Sequence, residues 1–229
     1  MPSLSEIKQF NSTHTPSVNK AVGVFFGGTS GIGKETAYMF AQKFDRPTVF
    51  IVGRSEEAGS QIVADLNRLN ARATFIKSDL SQMKEVLRVS EIVKNDTSKI
   101  NLLFLSQGIL STAGRTETAE GIDLRMALNY YGRWLAVKEL APLVQKAYND
   151  GDKDNARVVS VLAPGNEGPY QENDISYETS SLWPIRTGTS RNSLLRQCCD
   201  SPEFTLICPS SMPIQAMLLP ESPENCPGT

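Results

Sequence analysis

Between Gly27 and Gly33 the chain reads GGTSGIG, with an apolar run, Ala21 to Phe26, leading into it and a helical pattern leading out. A strand, a tight glycine turn and a helix in that order suit phosphate. The backbone can approach closely, and the helix start offers free N–H groups and the positive end of its dipole. Two nucleotide motifs compete here. Gly28 to Lys34 satisfies the G-x-x-x-x-G-K half of a P-loop, but Glu35 follows where a hydroxyl must meet magnesium. A carboxylate there opposes a triphosphate, so the dinucleotide reading holds. It makes Gly27, Thr29, Ser30, Gly31, Ile32 and Gly33 candidate pyrophosphate-binding residues. A second chemical marker is Gly53-Arg54-Ser55, after the next apolar run. An acidic residue at this point would bind a ribose 2′-hydroxyl and select NAD. Arg54 instead presents a planar fork that suits a 2′-phosphate, which points to NADP. The plainer alternative is an arginine capping a solvent-facing loop.

These groups act together only if strands deliver them to one edge of a sheet. The pattern supplies such strands: Thr48 to Val52, Ala73 to Ile76, Ile100 to Leu105 and Arg157 to Leu162, each a short apolar run of the kind covered on both faces. Helical patterns alternate with them: a first helix to about Lys43, then Glu56 to Asn70, Gln82 to Lys94 and Thr116 to Tyr148. Five such units predict an α/β fold, a Rossmann-type doubly wound parallel sheet with its ligand across the carboxyl ends of the strands. Phe204 to Cys208 is the candidate sixth strand. The expected organisation is a lead-in over 1–19, a dinucleotide-binding domain over 20–208 and a Pro-rich tail over 209–229.

The totals agree with one domain. The chain has 229 residues and a formal net charge of -2, which gives no reason to expect nucleic acid or an anionic membrane as partner. No run approaches a membrane span, and the first twenty residues lack the apolar centre of a signal peptide. All four cysteines (Cys198, Cys199, Cys208, Cys226) lie near the end, and the only histidine is His14. Neither a disulfide framework nor a metal-ligand spacing results, and a reducing, cytoplasmic setting is expected.

FGGTSGIG resembles the TGxxxGIG motif of short-chain dehydrogenases/reductases, with Phe26 in place of the usual Thr. The resemblance implies further site residues. Asp79-Leu80 falls where the family contacts adenine, although an Asp before a helix also serves as an N-cap. Ser106-Gln107-Gly108 falls on the family's Asn-Ala-Gly, so Ser106 and Gly108 are expected to line the cofactor cleft. Asn129 matches the helix Asn that holds a proton-relay water in the family, or else stabilises a helix kink.

The family moves hydride between a nicotinamide and a carbonyl or alcohol. It uses a Tyr as acid/base, a Lys four residues on, and a Ser beside the carbonyl. A phenol of pKa about 10 needs that cation to serve near neutrality. By distance beyond the fifth strand, Tyr177 is the matching tyrosine. Ser181 stands at the Lys position, Ala163 at the Ser position, and Lys153 is the last lysine. Ser160 lies three residues too early, and only Arg186 or Arg191 offers a nearby cation. The specific resemblance covers about residues 20–165. Beyond it Pro184, Gly188 and the Pro-rich ending predict incomplete C-terminal strands and helix, as in a truncated chain or a changed reading frame. Two functions are therefore expected. One is an NADP-dependent oxidoreductase of a small carbonyl or alcohol substrate, able to pair with a second copy through the long helix around 119–148. The other is a redox-silent NADP-binding protein acting as scaffold, partner subunit or site of redox-neutral chemistry.

Overall fold

Alternation along the strands sets the architecture. In the computed structural model, which describes residues 3–13, 18–109, 114–162 and 204–207, Val22, Val24 and Phe26 of β1 (Val22–Phe26) join one core cluster while Phe25 joins another. In β2 (Thr48–Gly53), Phe50 and Val52 face the first cluster and Val49 and Ile51 the second. Successive side chains of a strand point to opposite faces, so a strand apolar at every position needs cover on both. The sheet continues through β3 (Arg72–Lys77), β4 (Leu102–Leu105), β5 (Arg157–Val161) and β6 (Phe204–Ile207). The six strands lie in the order β3-β2-β1-β4-β5-β6, with every pairing parallel. This is the doubly wound α/β sheet expected.

Helices supply the cover. Ala37, Phe40 and Ala41 of α2 (Gly31–Lys43) and Ile62 and Leu66 of α3 (Glu56–Arg68) fill the second cluster. Val86, Val89 and Val93 of α4 (Met83–Asp96) meet Ala136, Leu140 and Val144 of α6 (Gly132–Asn149) in the first.

Two elements differ from expectation. Part of the presumed lead-in is a helix, α1 (Leu4–Thr13), started by a reciprocal capping box in which Ser3 N–H donates to Glu6 and Glu6 N–H to Ser3 Oγ. The long helix does not run from Thr116. Gly121 takes φ +76°, and Asp123 accepts from the N–H groups of Arg125 and Met126, so helix begins only at the short α5 (Leu124–Met126). A π turn, Ala127–Tyr131, then joins it to α6. No described helix is long and apolar enough to cross a membrane.

At the amino ends of the strands, fully buried Asn101 ties three elements together. Its N–H donates to Val22 O (2.8 Å), its Oδ1 accepts from Val22 N–H (2.9 Å), and its carbonyl accepts from Arg157 N–H (2.8 Å). Its amide also donates to Asp152, which takes the Lys99 ammonium at 2.7 Å. Burial pushes the Asp152 carboxyl up, but the bonds from Lys99 and Asn101 outweigh it and hold the group below its ordinary value. Its stabilising effect is therefore complete above about pH 4 and fades as the pH falls through the lowered value.

Asn101→Ala strands a buried N–H and should cost about 1–3 kcal/mol, seen by calorimetry as a melting-temperature loss of roughly 2–4 °C per kcal/mol. The deficit caused by Asp152→Ala should shrink below about pH 4.

Candidate functional site

The carboxyl ends of the strands open into a cleft of about 290 Å³. Its wall is made by the turn Gly27–Gly33 after β1, Gly53 and Arg54 after β2, Ser78 to Leu80 after β3, and Ser106 to Gly108 after β4. Leu128 of the π turn and Val161 of β5 complete it. All the residues expected to hold a cofactor, from Gly27 and Thr29 through Arg54, Asp79 and Leu80 to Ser106 and Gly108, line this one space.

The glycine turn is built for close approach. Gly27 adopts φ +82°, and both its N–H and that of Gly28 donate to Val52 O at the end of β2. Gly33 has no room for a side chain: a Cβ would press into Ser106 Oγ and lie 2.5 Å from Gly27 O. Gly31 is different. It sits at φ +53°, and a Cβ there would meet nothing within 4 Å. Its space opens toward the cleft it lines. Ser30 precedes α2 in extended conformation, and its side chain makes no capping bond. The N–H groups of the first turn are thus left for an incoming anion, in keeping with the helix dipole. An open cradle over an uncapped helix start fits a pyrophosphate.

Arg54 is exposed at the rim of the cleft and makes no hydrogen bond or ion pair with a described residue. Asp79 accepts from the N–H and hydroxyl of Ser81. Burial raises its carboxyl, but hydrogen bonds from Ser81 and Gln82 and the charge of Arg54 outweigh that and lower it. Asp79 therefore closes a turn onto Ser81 and does not cap α4, whose first N–H groups, those of Met83 and Lys84, donate to Glu120; it also lines the cleft. Ser106 donates to Phe26 O and Gly27 O (3.2 and 3.3 Å), closing β4 onto the glycine turn.

Beneath Gly108 lies a polar pair from the helical side. A Cβ on Gly108 would come 2.5 Å from Asn129 Oδ1 and 3.3 Å from an Arg133 nitrogen. Asn129 sits in the π turn, a register fault of the sort found at functional positions. Arg133 is buried to 4% exposure, and its guanidinium donates twice to Gln107 O, to Ser160 Oγ (2.9 Å) and to Val161 O. Burial alone pulls its pKa down to about 10, so it stays charged at neutral pH. Gln107 is itself buried, and neither atom of its side-chain amide has a hydrogen-bond partner among the described residues.

The family model for short chain dehydrogenases matches residues 21–178. The chain belongs to that family. Among relatives, the oxidoreductase andH of Emericella variicolor is 34% identical over 198 residues, covering 85% of this chain and 57% of that protein. An NmrA-like family domain-containing oxidoreductase, notO, of Aspergillus sp. is 33% identical, covering 80% of this chain and 55% of that protein. The chain thus spans about half the length of the curated relatives it matches. Solved structures share the fold at lower identity. The RhlG/NADP active-site complex of Pseudomonas aeruginosa has a TM-score of 0.65 at 17% identity, over 89% of this chain and 77% of that one. The NADH-dependent reductase A1-R′ complexed with NAD has 0.61 at 19%, over 85% and 79%.

Of the catalytic candidates, Asn129 stands beside the cleft floor, against Gly108. Tyr177 falls outside the described residues, as do Ala163, Ser181, Arg186 and Arg191. Ser160 Oγ accepts from Arg133. Among the described residues no cluster of His, Cys, Asp and Glu could hold a metal. Gly53, Ser78, Gln107, Leu128 and Val161 join the site beyond the sequence-based set. Gly53 and Val161 end strands and could have been found by that rule. Arg133 carried no such signal, because an arginine on a helix reads as a solvated charge.

Gly33→Ala should destabilise the fold far more than Gly31→Ala in thermal unfolding. The first must displace backbone, while the second costs only the left-handed conformation, about 1–2 kcal/mol.

Proposed function

We propose that this short-chain dehydrogenase is an NADP-linked oxidoreductase acting on a small carbonyl or alcohol. The observation that carries the reading is Arg54, a guanidinium at the cleft rim with no ion pair to a described residue, at the strand end where an acid would select NAD. The solved relatives hold NADP in one case and NAD in another, so the choice for this chain rests on Arg54.

In this reading the N–H groups at the start of α2 bind the pyrophosphate and Arg54 takes the 2′-phosphate. Asp79 and Leu80 flank the adenine. Ser106 and Gly108 keep the cleft floor close to the ribose, and Asn129 orients water below it. NADP supplies the hydride-carrying nicotinamide. Tyr177 is the proposed proton donor and acceptor, and no lysine stands four residues beyond it. That last observation favours a second reading, an NADP-binding protein that is slow or silent in redox chemistry. Steady-state turnover on a panel of ketones, aldehydes and alcohols separates the two.

NADPH should bind more tightly than NADH, and Arg54→Asp should reverse the order. The loss of one charge-assisted contact, about 1.5–3 kcal/mol, corresponds to roughly ten- to a hundred-fold in affinity by calorimetric titration. Equal affinities, unmoved by the substitution, would remove the NADP assignment.

Ser181 at the lysine position supplies no ammonium to favour a phenolate at Tyr177, and an unaided phenol has a pKa of about 10. Alcohol oxidation should then be slow and still rising above about pH 9. Ordinary turnover with a flat profile near neutrality would show that another cation serves, and would end the redox-silent reading.

A further inference from the structure

Arg133 is a buried cation with no anion to balance it among the described residues. Its hydrogen bonds are met, but every acceptor is neutral: the carbonyls of Gln107 and Val161 and the Ser160 hydroxyl. No described carboxylate forms an ion pair with it, and it keeps its full charge at neutral pH. Neutral acceptors disperse a charge without cancelling it, and in a protein interior the remaining field acts well beyond contact distance. The charge also stands at a definite end of the cleft. Gln107 and Val161, whose carbonyls it holds, line the cleft, and so does Gly108, where a Cβ would lie 3.3 Å from the guanidinium. Main chain at the ends of β4 and β5 is thus what separates the charge from the cleft. A dinucleotide laid across the carboxyl ends has its pyrophosphate on the glycine turn after β1 and its adenosine beside Arg54 and Asp79, after β2 and β3. The nicotinamide half then falls on the β4–β5 side, over the guanidinium.

We infer that Arg133 is a specificity-determining residue for the redox state of the cofactor, favouring the neutral nicotinamide of NADPH over the cationic ring of NADP+. The two forms differ at that ring by one positive charge and share the rest of the molecule. Across a layer of main chain, at an effective dielectric constant of about 20, a fixed cation weakens the binding of a second cation by about tenfold or more. A buried charge is also little screened by salt. Arg133 touches no ligand in this role and acts by its field through the cleft floor. The site is thereby loaded with NADPH in preference to NADP+, which suits reduction of a carbonyl better than oxidation of an alcohol. This inference rests on the NADP reading of the cleft.

The test is a calorimetric titration at neutral pH of the parent, Arg133→Gln, Ser160→Asp and Arg133→Lys. The ligands are NADPH, NADP+ and adenosine 2′,5′-bisphosphate, which lacks the nicotinamide half. The parent should bind NADPH at least about tenfold more tightly than NADP+, with the ratio little changed between low and high salt. Arg133→Gln removes the charge. Ser160→Asp keeps the guanidinium and sets a carboxylate against it, so the field is cancelled even where the arginine itself is needed for folding. Both should bring the ratio close to unity and leave the affinity for the bisphosphate unchanged. Arg133→Lys keeps the charge and should keep the ratio. A merely structural role would weaken all three ligands together and leave the ratio in place. Equal binding of NADPH and NADP+ by the parent overturns the inference, as does a ratio that survives both neutralising variants or is lost in Arg133→Lys, and the NADP reading then stands. A parent that binds no dinucleotide overturns both.

Discussion

A guanidinium holds the working end of this sheet together. Arg133 reaches from α6 to Gln107 O at the end of β4 and to Ser160 and Val161 at the end of β5, all neutral acceptors. Burying a charge is tolerable only when its hydrogen bonds are met, and four of its five N–H donors are placed by these contacts. The arrangement makes the helix, the two strand ends and the floor under Gly108 one rigid piece. A wall of the cleft therefore depends on a contact that involves no ligand.

The opposite wall relies on absence of side chains rather than on a charge. Gly27 and Gly33 bring the start of α2 against Ser106, whose single O–H is shared between the carbonyls of Phe26, at the end of β1, and Gly27. The cradle that results is mostly backbone. Side chains enter only at its margins, with Arg54 and Asp79 on the β2–β3 side and Asn129 on the helical side.

Much of this was legible beforehand, for reasons that are local. Val22, Val24 and Phe26 alternate with Phe25 in a run too apolar for one covered face, so a buried parallel strand follows from composition alone. The glycine spacing likewise declares its turn. The start of the long helix was not legible, because it depends on the Asp123 side chain capping two N–H groups after Gly121, against an acceptable helical pattern upstream. Arg133 was hidden for a related reason. Its role lies in contacts with residues some twenty-six to twenty-eight positions away, which no periodicity announces.

The π turn at Ala127–Tyr131 acts as a dial. A π turn carries one residue more than an ideal α turn, and each residue advances a helix by about 100°. Everything after Tyr131 is rotated by that step relative to α5. With the step, Ala136, Leu140 and Val144 face the sheet, and Arg133 faces the ends of β4 and β5. Without it, the same sequence would turn its guanidinium away from those strand ends and break the match between its apolar stripe and the core. A single extra residue thus sets the angular phase of eighteen others, and an indel in this stretch would act on the cleft through geometry alone, with no site residue replaced.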